Sequence, residues 1–266
     1  MIEIVAAESV TDLGDVSGKV LVAGSHGGII AAWLGASAGA HALILNDAGL
    51  GRDRAGIAGL SWLDDIGMAA AAVDCRSARI GDGVDMLRRG VVSHANLQAT
   101  LVGVFTGQFC REAAARLRLA APRRAAPPPY AEGRYRLEAG PPEVWALDSV
   151  GMTLPEDAGR ILLIGSHGAL HGGRRESALA VEATAAVFND AGLGADRIGI
   201  TRLPVLEARD IAAATVDCMS ARIGDGRSMW VSGILSHLNQ SAARSGARPG
   251  DTVQSFAARL LRRKKG

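Results

Sequence analysis

Apolar and polar positions fall into blocks that repeat along the chain. Residues 20–23, Val-Leu-Val-Ala, form a short apolar run closed by Gly24, the pattern of a buried strand. Residues 29–38 are alanine-rich and predict a helix, and residues 42–45 a second strand, stopped by Asn46-Asp47-Ala48-Gly49. Residues 53–66 place Ile57, Leu60 and Leu63 at helical spacing, with Asp53 as a first-turn acid. A third strand over 69–73 and a third helix over 83–100 complete the unit, with His94 well inside that helix and Asp82 as its N-cap. Residues 2–5 and 145–147 add candidate edge strands. The order β-α-β-α-β-α predicts an α/β fold, a mainly parallel sheet in a three-layer unit with helices on both faces.

The same blocks then recur. Ser25-His26-Gly27 returns as Ser166-His167-Gly168, and Asn46-Asp47-Ala-Gly-Leu-Gly51 as Asn189-Asp190-Ala-Gly-Leu-Gly194. Asp74-Cys75-x-Ser77-Ala-Arg79-Ile-Gly-Asp82-Gly returns as Asp217-Cys218-x-Ser220-Ala-Arg222-Ile-Gly-Asp225-Gly, and Ser93-His94-x-Asn96 as Ser236-His237-x-Asn239. The histidines of the first motif lie 141 positions apart and the later motifs 143, so one two-residue insertion separates His167 from Asn189. A period this long marks an internal tandem duplication. Residues 1–120 read as a first repeat, 121–144 as a proline-rich, extended linker, and 145–266 as a second repeat, with a pseudo-two-fold relation between them.

Composition narrows the class. A formal charge of +2 is too small to indicate nucleic-acid or membrane binding. The basic end, Arg262 to Lys265, reads as a complement to the dipole of a closing helix. The start of the chain lacks the charged-then-apolar pattern of a secretory signal, and no run approaches the length of a membrane span. Three cysteines do not form a disulfide framework, so a reducing cytoplasm is the expected location.

Each repeated motif follows a strand, which would gather its polar residues at the carboxyl ends of the sheet, where open α/β folds bind ligands. Cys75 and Cys218 are the candidate nucleophiles or acid–base groups, with a thiol pKa expected to be lowered by a following helix start. His26 and His167 are candidate bases, and Asp47 and Asp190 candidate carboxylates or turn formers. Ser25, Ser166, Asn46, Asn189, Ser77 and Ser220 are candidate substrate contacts, and Arg79 and Arg222 anion clamps. The spacing matches neither a phosphate-cradling glycine loop nor a zinc motif, so no cofactor is expected. The alternative is a divalent ion held by His26, Asp47 and Asp74.

Two resemblances follow from these residues. A strand ending in His26-Gly27 and a later one ending in Cys75 (likewise His167-Gly168 and Cys218) is similar to the His–Cys arrangement of caspase-type cysteine peptidases, although the Gln-Ala-Cys-x-Gly signature is absent. The paired Cys75 and Cys218 resemble the two strand-end cysteines of aspartate/glutamate-type racemases, without the Asn-Thr or Thr-His that follows them there. The expected function is an enzyme for a small, anionic carboxylate- or amide-containing metabolite, using thiol and histidine in hydrolase-type chemistry. A two-cysteine isomerase, a non-catalytic small-anion binder and a structural pseudo-dimer are the alternatives. Neither nucleic acid nor membrane is an expected partner, and a homo-oligomer is left open.

Overall fold

The computed structural model describes residues 2–263. Lys264 and Lys265 of the basic end lie outside the described residues. The first half carries β1 (Ile4–Ala7), β2 (Val20–His26), α1 (Ile29–Ser37), β3 (Ala42–Asn46), α2 (Ala58–Asp65), β4 (Ala70–Val73), α3 (Gly83–Arg89), β5 (Val92–Ala95), α4 (Leu97–Thr100) and α5 (Cys110–Leu117). The second carries β6 (Arg134–Glu138), β7 (Val144–Leu147), β8 (Ile161–His167), β9 (Ala185–Asn189), α6 (Arg202–Glu207), β10 (Ala212–Val216), α7 (Gly226–Ser232), β11 (Leu235–Leu238), α8 (Gln240–Ala243) and α9 (Val253–Arg263). The protein is of the α/β class, with two similar, mostly parallel sheets. Among the described residues, no helix is long and apolar enough to cross a membrane.

Two compact units divide the chain. The first is built from the residues up to Leu50, Arg54–Ala131 and Leu193–Asp196. The second is built from Gly51–Asp53, Glu132–Gly192 and the residues from Arg197 onward. The five-stranded sheet of the first runs β1-β2-β3-β4-β5, parallel except that β5 is antiparallel to β4. The six-stranded sheet of the second runs β11-β10-β9-β8-β7-β6, with β11 and β6 antiparallel to their neighbours. Strand β6 falls inside residues 121–144, which the sequence assigns to a linker.

Period-two alternation explains the cores. In the first unit Leu21, Ala23, Leu43 and Leu45 pack with Ala32, Leu60 and Leu63 of α1 and α2. Their strand neighbours Val20, Val22, Ala42 and Ile44 pack with Met86, Ala113 and Leu117 of α3 and α5. The second unit repeats this alternation, Leu162 and Ile164 in one cluster and Ile161 and Leu163 in another. Many of these positions are alanine or glycine, which brings helices and loops close to the strands. Gly24, inside β2, is an example: a Cβ there would sit 2.3 Å from the backbone nitrogen of Asp82. That close approach is held by the Gly81 N–H donating to the Gly24 carbonyl at 2.7 Å.

Three local expectations need correction. The helix expected over 83–100 is broken: α3 stops at Arg89, capped by Gly90, and β-branched Val91 and Val92 lead into strand β5. His94, and His237 in β11, therefore lie on strands and not inside a helix. The helix expected from Asp53 begins instead as a 3-10 segment over Arg52–Ile57, because Asp53 and Arg54 adopt φ of 53° and 55°, outside the α-helical region. Finally, no counterpart of α1 follows β8, where two 3-10 turns, His171–Gly173 and Arg175–Ser177, take its place.

That last difference has a packing cause. Gly59 stands where the second repeat has Arg202, and a Cβ at Gly59 would lie 2.6 Å from Ala32 in α1. Arg202 is fully buried and fills the space with a guanidinium that donates to the carbonyls of Ala169, Ser177 and Ala178. Its stacking on Phe188 completes the substitution of a helix by a pinned loop.

Candidate functional site

The motifs meet where their strands end. Asp47 follows β3 and Asp74-Cys75 follows β4; Asp47 Oδ1 accepts the backbone N–H groups of Gly49 and Cys75, both at 3.0 Å. Asp190 does the same with Gly192 and Cys218, again at 3.0 Å. The carboxylates of Asp47 and Asp74 and the sulfur of Cys75 then lie within 4.8 Å of one another, and so do Asp190, Asp217 and Cys218. Each unit thus presents two carboxylates and one thiol.

The loop carrying Asp47 is held in an unusual backbone. Ala48 and Leu50 have φ of 50° and 64°, and their counterparts Ala191 and Leu193 have 51° and 64°. Non-glycine residues at positive φ cost of order 1–3 kcal/mol each and gather at functional sites.

The thiols are the main correction to the expected chemistry. Cys75 and Cys218 are buried, and their pKa is raised to about 12, not lowered. Burial is the largest cause in both; the charges of Asp47 and Asp74, or of Asp190 and Asp217, add to it. The neighbouring carboxylates outweigh whatever the loop N–H groups offer a thiolate.

His26 and His167 are the last residues of their strands, and each ring is turned to its own turn. Nδ1 of His26 accepts from Gly28 N–H at 3.1 Å, and Nδ1 of His167 from Ala169 N–H at 3.3 Å. Burial pulls the His26 pKa down to about 4, so the ring is neutral at physiological pH. The expected trio His26, Asp47 and Asp74 does not assemble: among the described residues Cys75, not His26, joins the two carboxylates. A carboxylate–carboxylate–thiol set has suitable donors for a divalent ion, but the thiol would have to lose its proton first.

Other candidates hold backbone groups of the fold. Ser25 Oγ accepts from Val10 N–H at 3.0 Å and Ser166 Oγ from Val150 N–H at 2.9 Å. Asn46 and Asn189 are fully buried, each accepting an N–H two residues on, from Ala48 and Ala191. Ser77 Oγ donates to the Asp74 carbonyl at 2.7 Å and accepts from Val91 N–H at 2.9 Å, and Ser220 does the same with Asp217 and Ile234. Asp82 and Asp225 cap α3 and α7. Arg79 is not a free clamp, since its Nε donates to Asp196 at 2.9 Å; Arg222 Nε likewise donates to Asp53 at 2.8 Å.

No protein-family profile, curated protein or solved structure matches this chain. The functional reading therefore rests on the geometry alone.

Three features lie outside the expected site residues. His94 lies beside Asp47 and Asp74 and feels their charges as well as that of Arg54, although desolvation dominates and lowers its pKa. Its Nδ1 and that of His237 are buried without a partner. Asn96 and Asn239 use the whole amide: Asn96 Oδ1 accepts from Ala70 and Ala99, while Nδ2 donates to Leu60 and Met68. Lastly, Arg76 forks onto Asp74 through Nε and Nη2, at 3.1 and 2.9 Å, whereas the matching position beside Asp217 is Met219. All three signals were present in the repeat, as shared residues or as a single divergence.

Proposed function

We propose that the protein is an enzyme acting on a small polar metabolite with a carboxylate or amide group, by hydrolase-type chemistry at the strand ends. One observation carries this: two carboxylates and a thiol converge within 4.8 Å at the same loop in both units. The strained loops around Leu50 and Leu193 support it, because such backbone recurs where function requires it.

The base in this reading is a carboxylate. With a pKa of about 12, roughly one Cys75 in 10⁵ is ionised at pH 7, too few for a resting thiolate nucleophile. The same argument removes the support for a two-cysteine isomerase. Burial raises the pKa of Asp190 toward the range in which a carboxylate serves as general base, activating water while the neighbouring thiol stays protonated. The wider architecture belongs to this proposal: a tandem duplication of a three-layer unit with pseudo-two-fold symmetry, in which the second copy kept the more open site. A cytoplasmic location fits three unpaired cysteines.

The test is a panel of small amides, lactams and amino-acid esters, each followed by mass spectrometry with wild type, Asp190→Asn and Asp47→Asn. Turnover lost at least a hundredfold in Asp190→Asn, in folded protein, is the expected result. A panel left untouched by folded wild type ends the hydrolytic reading.

A second reading has its own observation. Asp47 and Asp190 each hold two backbone N–H groups, Asp82 and Asp225 cap helices, and Asn96 and Asn239 saturate their amides. Shared polar residues of this kind serve the fold, which favours a structural pseudo-dimer if the panel fails.

A further inference from the structure

A cavity of about 630 Å³ opens in the second unit, within the size range of small-molecule sites. Its walls are apolar, from Ile200, Leu203, Pro204, Leu238, Ala243 and Ala247. Ser236 and His237 of β11 form a polar edge. Ser236 Oγ lies 3.0 Å from Thr215 Oγ1 on β10, the strand whose end carries Asp217, which brings the cavity up to the acidic cluster. Glu207, on another wall, is already committed to Ser241 N–H at 2.9 Å and Arg244 at 3.5 Å.

The charges around that polar edge are unbalanced. In the first unit the fork of Arg76 on Asp74 balances one of the cluster's two carboxylates. In the second unit Met219 takes that place and is 61% exposed, and among the described residues neither Asp190 nor Asp217 is paired with Lys or Arg. An arginine stands close by: Arg197 is exposed and its Nη2 approaches His237 Nε2 at 3.4 Å. Because guanidinium only donates, Nε2 is the acceptor in that contact and Arg197 keeps its other donors for a ligand.

Two carboxylates, one arginine and an apolar cavity match three groups that occur together on one kind of small molecule. We propose that the second unit binds an α-amino acid, or its amide or ester, with a branched or aromatic apolar side chain. The side chain fills the cavity, the ammonium group faces Asp190 and Asp217, and the carboxylate or carbonyl faces Arg197. This rests on the strand ends being the ligand site, and it names the substrate class for that site. It also assigns the two units different roles, the first closed by Arg76 and the second open.

Titration calorimetry with L-leucine, leucinamide and 4-methylpentanoate, on the full chain, tests it. Leucine binds wild type, and 4-methylpentanoate, which lacks the ammonium group, binds at least about tenfold more weakly, a difference of about 1.4 kcal/mol. Arg197→Gln weakens leucine, which loses an ion pair, more than leucinamide, which loses only a hydrogen bond to its carbonyl. Met219→Arg recreates the fork of the first unit and abolishes both, and Ala243→Phe fills the cavity with the same effect. Residues 219 and 243 are exposed, so both variants keep the fold, which circular dichroism verifies. No heat with leucine or leucinamide, or binding indifferent to Met219→Arg and Ala243→Phe, overturns the assignment. If the amide panel is turned over while leucine and leucinamide fail to bind, this inference falls alone. Leucine binding without turnover of any amide sinks the hydrolytic reading and leaves the site.

Discussion

The backbone N–H of Cys75 donates to Asp47 Oδ1 at 3.0 Å, across 28 residues of sequence. This bond ties the loop after β3 to the loop after β4, and the same oxygen holds Gly49 in the turn. Removing the acceptor leaves two loop donors unpaired beside a buried thiol. Asp47→Ala is expected to lower stability by about 2–4 kcal/mol, and Asp47→Asn, which keeps an amide oxygen, by about 1 kcal/mol. Urea denaturation of the two variants measures the difference; equal losses would show that the oxygen does not matter.

His26 gives a pH dependence with a definite sign. Its folded pKa of about 4 lies below the unfolded value of 6.5, so burial of the neutral ring stabilises the fold fully above about pH 6.5. That contribution, of order 3 kcal/mol, is lost as pH falls through 4. In His26→Asn the amide oxygen accepts the Gly28 N–H without titrating. Urea midpoints of wild type and variant should therefore diverge between pH 7 and 4.5, with the wild type falling more steeply. Parallel lines would mean that His26 does not carry the slope.

The thiols behave in the opposite sense. Cys75, Cys110 and Cys218 all have pKa values raised to about 12, so the neutral thiols stabilise the fold below about pH 9 and lose that effect as pH climbs toward 12. At pH 8 the native protein should react with iodoacetamide about a thousandfold more slowly than the unfolded chain at all three positions. Fast labelling of Cys75 or Cys218 alone, resolved by peptide mass spectrometry, would restore the thiolate reading.

Asn96 and Asn239 are expected to be the costliest polar substitutions. Each is buried with four backbone partners, joining the loop before β4 or β10 to the short helix after β5 or β11. Asn96→Ala should destabilise by about 3 kcal/mol or more, and Asn96→Asp by a comparable amount because two acceptors replace two donors. A loss under about 1 kcal/mol would mean that water takes over the freed groups.

Gly83 tests how close the packing is. A Cβ there would lie 2.3 and 2.4 Å from the carbonyl oxygens of Ala7 and Val22, whereas at Gly226 the nearest backbone atom is 2.6 Å away. Gly83→Ala should cost about 3 kcal/mol or prevent folding, and Gly226→Ala less. Thermal melts of both rank them directly.

The sequence pattern was most informative where burial and period agreed. The apolar runs at β2, β3 and β4 are buried on both faces, and their ends locate the loops that carry the motifs. Strand β5 was hidden because Gly90-Val91-Val92 is too short a run to stand out from the helix before it. Leu50 at positive φ carries no sequence signal, since nothing in a leucine marks that disfavoured backbone. The pKa of Cys75 depends on Asp47, 28 residues away, and only the fold brings the two together. Arg76 and Met219 were legible as a divergence, but its meaning required knowing that Asp74 lies in a cluster.

Strand β6 changes what counts as the second half. It pairs antiparallel with β7 along Arg134–Leu147 and Tyr135–Ala146, and Arg134 forks onto the buried carboxylate of Asp157 while lying over Trp145. A fragment cut at the first residue of the repeat, near 145, would bare the hydrogen-bonding edge of β7 and leave Asp157 without one of its two arginines. Such a fragment would be more prone to strand-to-strand association than one beginning near 132, in which β6 keeps its native place at the edge. The stretch between the repeats is thus a selvedge woven onto one of them, and the natural place to divide this chain lies before it.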